Sequence, residues 1–289
     1  MSCLIVGCGY LGRRVGAMLS DRDEVVYGTT RTAERGRELE PLGIIPVIAD
    51  VLKPDSFPTF PTVDRVFHCV GFDRSAGIPL RVVYLDGLRN VLQALKDRTP
   101  RIVSASSTGV YAQDKGEWVD EESPAEPTSE SGKACLDAER TLAEICSESG
   151  IEYAVIRYSG LYGPGRMIRR SDLERGAPIA GDPLKFLNLV HIQDAAMAAI
   201  AVLNSGTSGR IYLASDDQPV PRQSYYRLAA SLLQAPPPNF MAPQPGHAIR
   251  EEPNKRISNR RIKEELGFKP AYPSIVEGLP ASLVEERSR

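Results

Sequence analysis

Apolar residues over the first 157 positions alternate between two periods. Short runs, many of them β-branched, read as strands covered on both faces: Leu4 to Val6, Val25 to Tyr27, Ile44 to Ala49, Val63 to Cys69, Arg101 to Ser106 and Tyr153 to Ile156. Between them the spacing becomes helical. Leu11, Val15, Met18 and Leu19 share one helix face, and further helices are predicted around Ile78 to Lys96 and from about Ser131 to Ser149. Strand alternating with helix predicts βαβ units and a doubly wound parallel sheet of the α/β class. Past Tyr158 the pattern loosens into loops, an alanine-rich helix near Ala195, a strand over Arg210 to Ala214, and helices near Tyr225 and Ile262. Residues 1–157 are therefore expected to form the sheet domain, with 188–214 returning to it. Residues 158–187 and 215–289 then form a smaller, mainly C-terminal lobe. Two biased stretches, Glu121 to Glu130 and the proline-rich Ala235 to Gly246, read as surface loops.

Composition narrows the class. A chain of 289 residues with 42% hydrophobic and 25% charged residues has ample material for a buried core and excludes wholesale disorder. Lys plus Arg at 35 nearly balances Asp plus Glu at 37, leaving a net charge of −2 and no basic footprint for nucleic acid or anionic lipid. The longest apolar stretches, such as Ala195 to Leu203, fall short of the roughly 18 residues a membrane span requires. With no basic leader before Cys3 and five scattered cysteines lacking any Cys-x-x-Cys pair, a cytoplasmic protein with free thiols is expected. His68, His191 and His247 lie far apart and without zinc-ligand spacing, so no metal site is expected.

The first chemistry-bearing motif is Gly7-Cys8-Gly9-Tyr10-Leu11-Gly12, which follows an apolar strand and opens an amphipathic helix. In that context Gly7 permits a tight turn, Gly9 lets backbone approach a pyrophosphate, and Gly12 lets helix and strand pack closely. The helix start adds amide donors and a positive dipole end. A dinucleotide cofactor held by Gly7, Gly9, Tyr10, Leu11 and Gly12 follows. About 20 residues on, an acid would hold the ribose 2′-hydroxyl of NAD, yet Val25-Val26-Tyr27-Gly28 runs into Thr29-Thr30-Arg31 with no acid before Glu34. Arg31, with Thr29, Thr30 or Arg13, suits a 2′-phosphate, so NADP is expected and NAD is the alternative. Asp50 and Val51, after the third strand, are placed to meet an adenine edge.

With these pieces in order, the chain resembles the extended and atypical short-chain dehydrogenase/reductase superfamily, in its NAD(P)-dependent epimerase/dehydratase group. The resemblance rests on Val6 to Gly12, Val66 to Gly71, Ser106-Ser107-Thr108-Gly109-Val110-Tyr111, Ile156 to Gly165, Val190 to Ala195 and Ser258 to Pro270. It implies a Rossmann-like sheet with a substrate lobe, Val70 against the cofactor, and oxidation or reduction at a sugar-like carbinol or carbonyl. It also implies a Ser or Thr after the fifth strand and a Tyr-x-x-x-Lys on the next helix, where lysine and a cationic nicotinamide make the phenol acidic enough to exchange a proton near neutral pH. Ser107 matches the first position. The second fails: one register puts Ser131 and Cys135 at the Tyr and Lys positions, another puts Ser129 and Lys133 there, and neither contains a tyrosine.

Ser131 cannot simply replace a phenol, because a serine hydroxyl is a far weaker acid. The one literal Tyr-x-x-x-Lys, Tyr111 to Lys115, runs into a turn at Asp114-Lys115-Gly116, so its two side chains need not share a face. Tyr111 nevertheless occupies the same post-strand loop as Ser107 and stands as a candidate. Two functions stay open: an NADP-linked oxidoreductase or epimerase/dehydratase-like enzyme with altered acid/base residues, and a non-catalytic NADP-binding sensor or regulatory module. The expected partner is a small-molecule substrate, not nucleic acid or membrane, and homodimer formation is left open.

Overall fold

The computed structural model describes residues 1–241 and 253–288. Its elements are β1 (Ser2–Val6), α1 (Tyr10–Ser20), β2 (Val25–Thr30), α2 (Ala33–Arg37), β3 (Ile44–Ile48), β4 (Arg65–His68), α3 (Gly87–Ala94), β5 (Arg101–Ser107), β6 (Glu117–Val119) and α4 (Glu130–Ser149). Then come β7 (Glu152–Tyr158), β8 (Gly160–Tyr162), α5 (Arg170–Glu174), β9 (Ile179–Ala180), β10 (Phe186–Leu187), β11 (Leu189–His191), α6 (Ile192–Ser205) and β12 (Ile211–Ala214). The C-terminal part holds β13 (Val220–Pro221), α7 (Arg222–Leu233), β14 (Phe240–Met241), β15 (Lys255–Ile257), α8 (Arg260–Leu266) and α9 (Ile275–Arg287).

Seven strands form one all-parallel sheet in the order β12-β7-β5-β4-β1-β2-β3. Alternate side chains of each strand feed opposite cores. Cys3, Ile5, Phe67, Val103 and Ile156 pack against Val15 and Leu19 of α1 and the alanines of α6, while Leu4, Val6, Val66, Ile102 and Val155 pack against Leu88, Val91 and Leu142 of α3 and α4. The small side chains of α6 let it lie close to α1 across the sheet face. Strand order reverses between β1 and β4, and the crevice beyond the C-terminal ends of these strands is where such sheets take ligands.

A third core is built on Tyr162, Leu173, Ile179, Tyr225, Tyr226 and Leu279, all C-terminal to β7. Within 188–214, β11 pairs with β8, α6 packs on α1, and β12 joins β7 at the sheet edge. One detail departs from the sequence expectation: Ile262 and Phe268, in the 215–289 stretch assigned to the lobe, pack into the α1/α6 core. Glu117–Val119 is a strand paired in parallel with β15, so the segment after β5 is tied to the C-terminal region. His247 and the 242–246 part of the proline-rich loop lie outside the described residues.

Candidate active site

The three glycines of the opening motif are required for three separate reasons. Gly7 has φ +89°, and a Cβ there would stand 2.6 Å from the Val70 Cα. At Gly12 a Cβ would meet the Gly7 carbonyl oxygen at 2.8 Å and Ile5 at 3.0 Å, so close packing of α1 on β1 excludes one. At Gly9 nothing lies nearer than 4.0 Å: the fold itself does not fill that space. The Gly7 amide donates to Thr29 Oγ1 at 2.8 Å and the Cys8 amide to the Thr29 carbonyl at 3.0 Å, which fixes the turn to the end of β2. Gly9 caps α1 without a side-chain acceptor, and the first turn carries no acidic residue, so the positive helix end is not neutralised.

A cleft of about 1100 Å³ opens over this turn. Gly7, Gly9, Tyr10, Arg31, Asp50, Val51 and Val70 all line it. Leu11 faces the α1/α6 core instead, and Gly12 serves packing. At the far end Arg31 donates to Asp73 at 3.1 Å, with both side chains nearly half exposed. Such a pair contributes under about 1 kcal/mol, so Arg31 can turn to another anion at little cost. Arg35 and Arg13 line the same end, the latter bonded to Glu38. Asp50 accepts from the Leu52 amide at 3.1 Å, which pins the turn after β3. An open cradle at Gly9, an uncompensated helix start and arginines beyond β2 fit a phosphorylated dinucleotide.

Ser107 ends β5, and its Oγ accepts from the Gly109 amide at 3.0 Å. Its hydroxyl hydrogen is therefore available to a substrate oxygen. The next helix presses on this loop: a Cβ at Gly132 would come within 2.4 Å of the Gly109 carbonyl oxygen. Ser129 is the N-cap, accepting from the Gly132 amide at 3.1 Å, with its Oγ 3.3 Å from that of Ser131. The residues of the two registers differ in burial at their second positions. Lys133 is exposed and bonds Glu130, whereas Ser131 and Cys135 are partly buried, with Cys135 against Ser106. Burial and the nearby Glu139 carboxylate push the Cys135 thiol up to about 11, so it stays protonated and unreactive.

Tyr111 is corrected from a site candidate to a core residue. It is 1% exposed, and its phenol oxygen accepts from Arg157 Nη1 at 2.7 Å. Burial pushes that phenol up to about 12 despite the opposing arginine. Arg157 itself is bound to Glu139 through Nε at 3.0 Å and Nη2 at 2.7 Å, a buried pair clamping β7 to α4. Lys115 does not share a face with Tyr111: the intervening residues 112–114 form no helix, and Lys115 is exposed where Tyr111 is buried. His191 caps α6, its Nδ1 accepting from the Gln193 amide at 3.2 Å while its ring packs on Tyr272. Burial lowers its pKa to about 4, so it is neutral near pH 7. Asp194 lies in the first turn of α6, but its oxygens accept from the Ala271 and Tyr272 amides, anchoring the C-terminal segment. Trp118 is 54% exposed, with the Arg256 guanidinium over its ring.

Sequence reasoning passed over Lys255, which is 5% exposed and donates to the Tyr111 carbonyl at 2.6 Å. Nothing local in Asn254-Lys255-Arg256 signals burial, because the acceptor lies 144 residues away. Among the described residues no cluster of three His, Cys, Asp or Glu side chains is placed to hold a metal, and no helix is long and apolar enough to cross a membrane.

Comparison with known proteins agrees with this geometry. Residues 3–214 match the NAD dependent epimerase/dehydratase family. Protein YeeZ of Escherichia coli (strain K12) is 30% identical over 276 residues, covering 93% of this chain and 95% of that protein. A 3-diazoavenalumate denitrifying reductase of Streptomyces sp is 27% identical over 308 residues, covering 96% and 99%. Among solved structures, a functionally unknown conserved protein from Silicibacter pomeroyi DSS superposes with a TM-score of 0.81 at 28% identity over 98% of both chains. The dTDP-glucose 4,6-dehydratase DesIV of Streptomyces venezuelae, solved with NAD bound, reaches 0.85 at 20% identity, covering 100% of this chain and 98% of that one, and so shares the fold. The glycine turn, the strand order and a family match spanning the whole sheet lead to one assignment: this chain belongs to the NAD dependent epimerase/dehydratase family.

Proposed function

We propose that the protein is an NADP-preferring oxidoreductase of epimerase/dehydratase type, acting at a hydroxyl or carbonyl carbon of a small sugar-like molecule without the usual Tyr-Lys pair. The observation that carries the NADP preference is the end of β2. Thr29, Thr30 and Arg31 stand where an acid would hold a ribose 2′-hydroxyl, and Arg31 is restrained only by an exposed partner. Gly7, Gly9 and the start of α1 would hold the pyrophosphate, and Asp50, Val51 and Val70 would flank the adenine and nicotinamide halves. The bound nicotinamide supplies or accepts hydride. Ser107 orients the reacting oxygen through its free O–H, and Ser131 extends that polar edge from the start of α4. Small-molecule redox chemistry is supported by the reductase among the relatives and by solved neighbours that carry NAD together with UDP-glucose or UDP-glucuronic acid.

The test is a calorimetric titration with NADPH and NADH. NADPH should bind at least about tenfold tighter, a difference of ~1.4 kcal/mol, and Arg31→Ala should abolish the difference. Equal affinities in the unmodified protein would remove the assignment to Arg31. The absence of a Tyr-Lys pair favours a second reading, a cofactor-binding module without turnover. Sustained hydride transfer to any carbonyl substrate separates the two.

A further inference from the structure

We propose that Asp73 sets the strength of the cofactor preference by competing with the 2′-phosphate of NADP for Arg31, an inference that rests on the NADP-linked function proposed above. Arg31 directly follows β2, and Asp73 lies five residues past the end of β4. Those two strands flank β1 on opposite sides. Parallel strands two places apart stand about 10 Å from each other, so the ion pair joining Arg31 to Asp73 spans the crevice beyond the end of β1, where the glycine turn lies. Both residues line the cofactor cleft, together with Phe72 and Ser75 of the same segment.

The Asp73 carboxylate is held in place for this contact. Its Oδ1 accepts from the Ser75 amide at 3.0 Å and from Ser75 Oγ at 2.6 Å, capping a short 3₁₀ turn over Arg74–Ala76. Its Oδ2 then accepts from Arg31 Nη2 at 3.1 Å. The Ser75 hydroxyl, and after it Arg31, hold the carboxyl below its usual range, so Asp73 is charged near neutral pH. The other carboxylates lining the cleft are engaged elsewhere, Glu38 with Arg13 and Asp50 with the Leu52 amide. A guanidinium has donors for two partners, yet a 2′-phosphate brings up to two negative charges to the cation that Asp73 already neutralises. The two anions repel, and each weakens the other's hold on Arg31. NADH, with a hydroxyl at that position, meets no such conflict. Because Arg31 and Asp73 are both nearly half exposed, the contest changes affinity by a factor of about five at most.

The experiment titrates NADPH and NADH by calorimetry into four proteins: the unmodified chain, Asp73→Asn, Arg31→Ala and the double variant. Asparagine keeps an oxygen for the Ser75 donors, so the turn is retained while the charge is removed. The ratio of the NADH to the NADPH dissociation constant should rise about three- to fivefold in Asp73→Asn. In the Arg31→Ala background the same change should move that ratio by less than about 1.5-fold, because the residue competed for is gone. A protein that prefers NADPH but whose ratio stays level or falls in Asp73→Asn overturns the role of Asp73 alone. A rise that survives Arg31→Ala shows plain repulsion of the phosphate by Asp73 and overturns the competition for Arg31. If the unmodified chain binds neither nucleotide, or binds both equally, the NADP-linked reading falls and the role of Asp73 with it.

Discussion

Gly9→Ala isolates ligand binding from folding at the opening turn. Gly9 sits at φ −92° and ψ −143°, and its added methyl meets nothing nearer than the Gly7 carbonyl oxygen at 4.0 Å. With no steric contact to relieve, the folding cost should stay below about 2 kcal/mol, well under that of Gly7→Ala. The same methyl occupies the space left for a pyrophosphate and holds it away from the amides at the start of α1. Losing one or two charge-assisted hydrogen bonds at ~1.5–3 kcal/mol each lowers affinity by ten- to several-hundredfold or more. Gly7→Ala provides the contrast: a left-handed φ and a 2.6 Å backbone contact with Val70 cost roughly 2–6 kcal/mol of stability before any ligand is added. Calorimetric titration with NADPH and urea denaturation of the two variants form the assay. A Gly9→Ala protein that binds NADPH as tightly as its parent would refute the pyrophosphate cradle. One that unfolds as easily as Gly7→Ala would refute the claim that Gly9 is spared by the fold.

Two further outcomes follow from buried charge. Burial lowers the Lys255 ammonium from 10.5 to about 8. Between those values the unfolded chain binds the extra proton, so stability should rise with pH across that window, by up to ~3 kcal/mol relative to Lys255→Met. A constant difference between the two proteins from pH 7.5 to 10 would contradict it. Glu139→Gln strips the counter-charge from Arg157, which is 3% exposed, and should cost ~3–5 kcal/mol in urea unfolding; a loss below ~1 kcal/mol would mean that water reaches the pair.

The sheet and its cofactor turn were legible because their determinants are local. Leu4-Ile5-Val6 followed by spaced glycines and a helical face specifies a strand, a bend and a buried helix within about 20 residues. The catalytic edge was only half legible. Ser107 could be placed from its neighbours, but the choice between Ser131 and Ser129 depends on the rotation of α4, which no local pattern in the sequence fixes. Tyr111 misled because adjacency to Ser107 in sequence says nothing of the sheet face it takes, and its partner Arg157 is 46 residues away. Lys255, Ile262 and Phe268 were missed for a shared reason: each is buried by segments more than 40 residues distant.

The return of Ile262 and Phe268 to the α1/α6 core bears on synthesis. A chain growing from its N-terminus has all seven sheet strands by residue 214, yet the apolar wall of α6 stays uncovered until residue 268 has left the ribosome. Truncation after 214 should therefore yield a nucleotide-binding half with a bare greasy flank, dependent on chaperones for solubility, rather than an autonomous module.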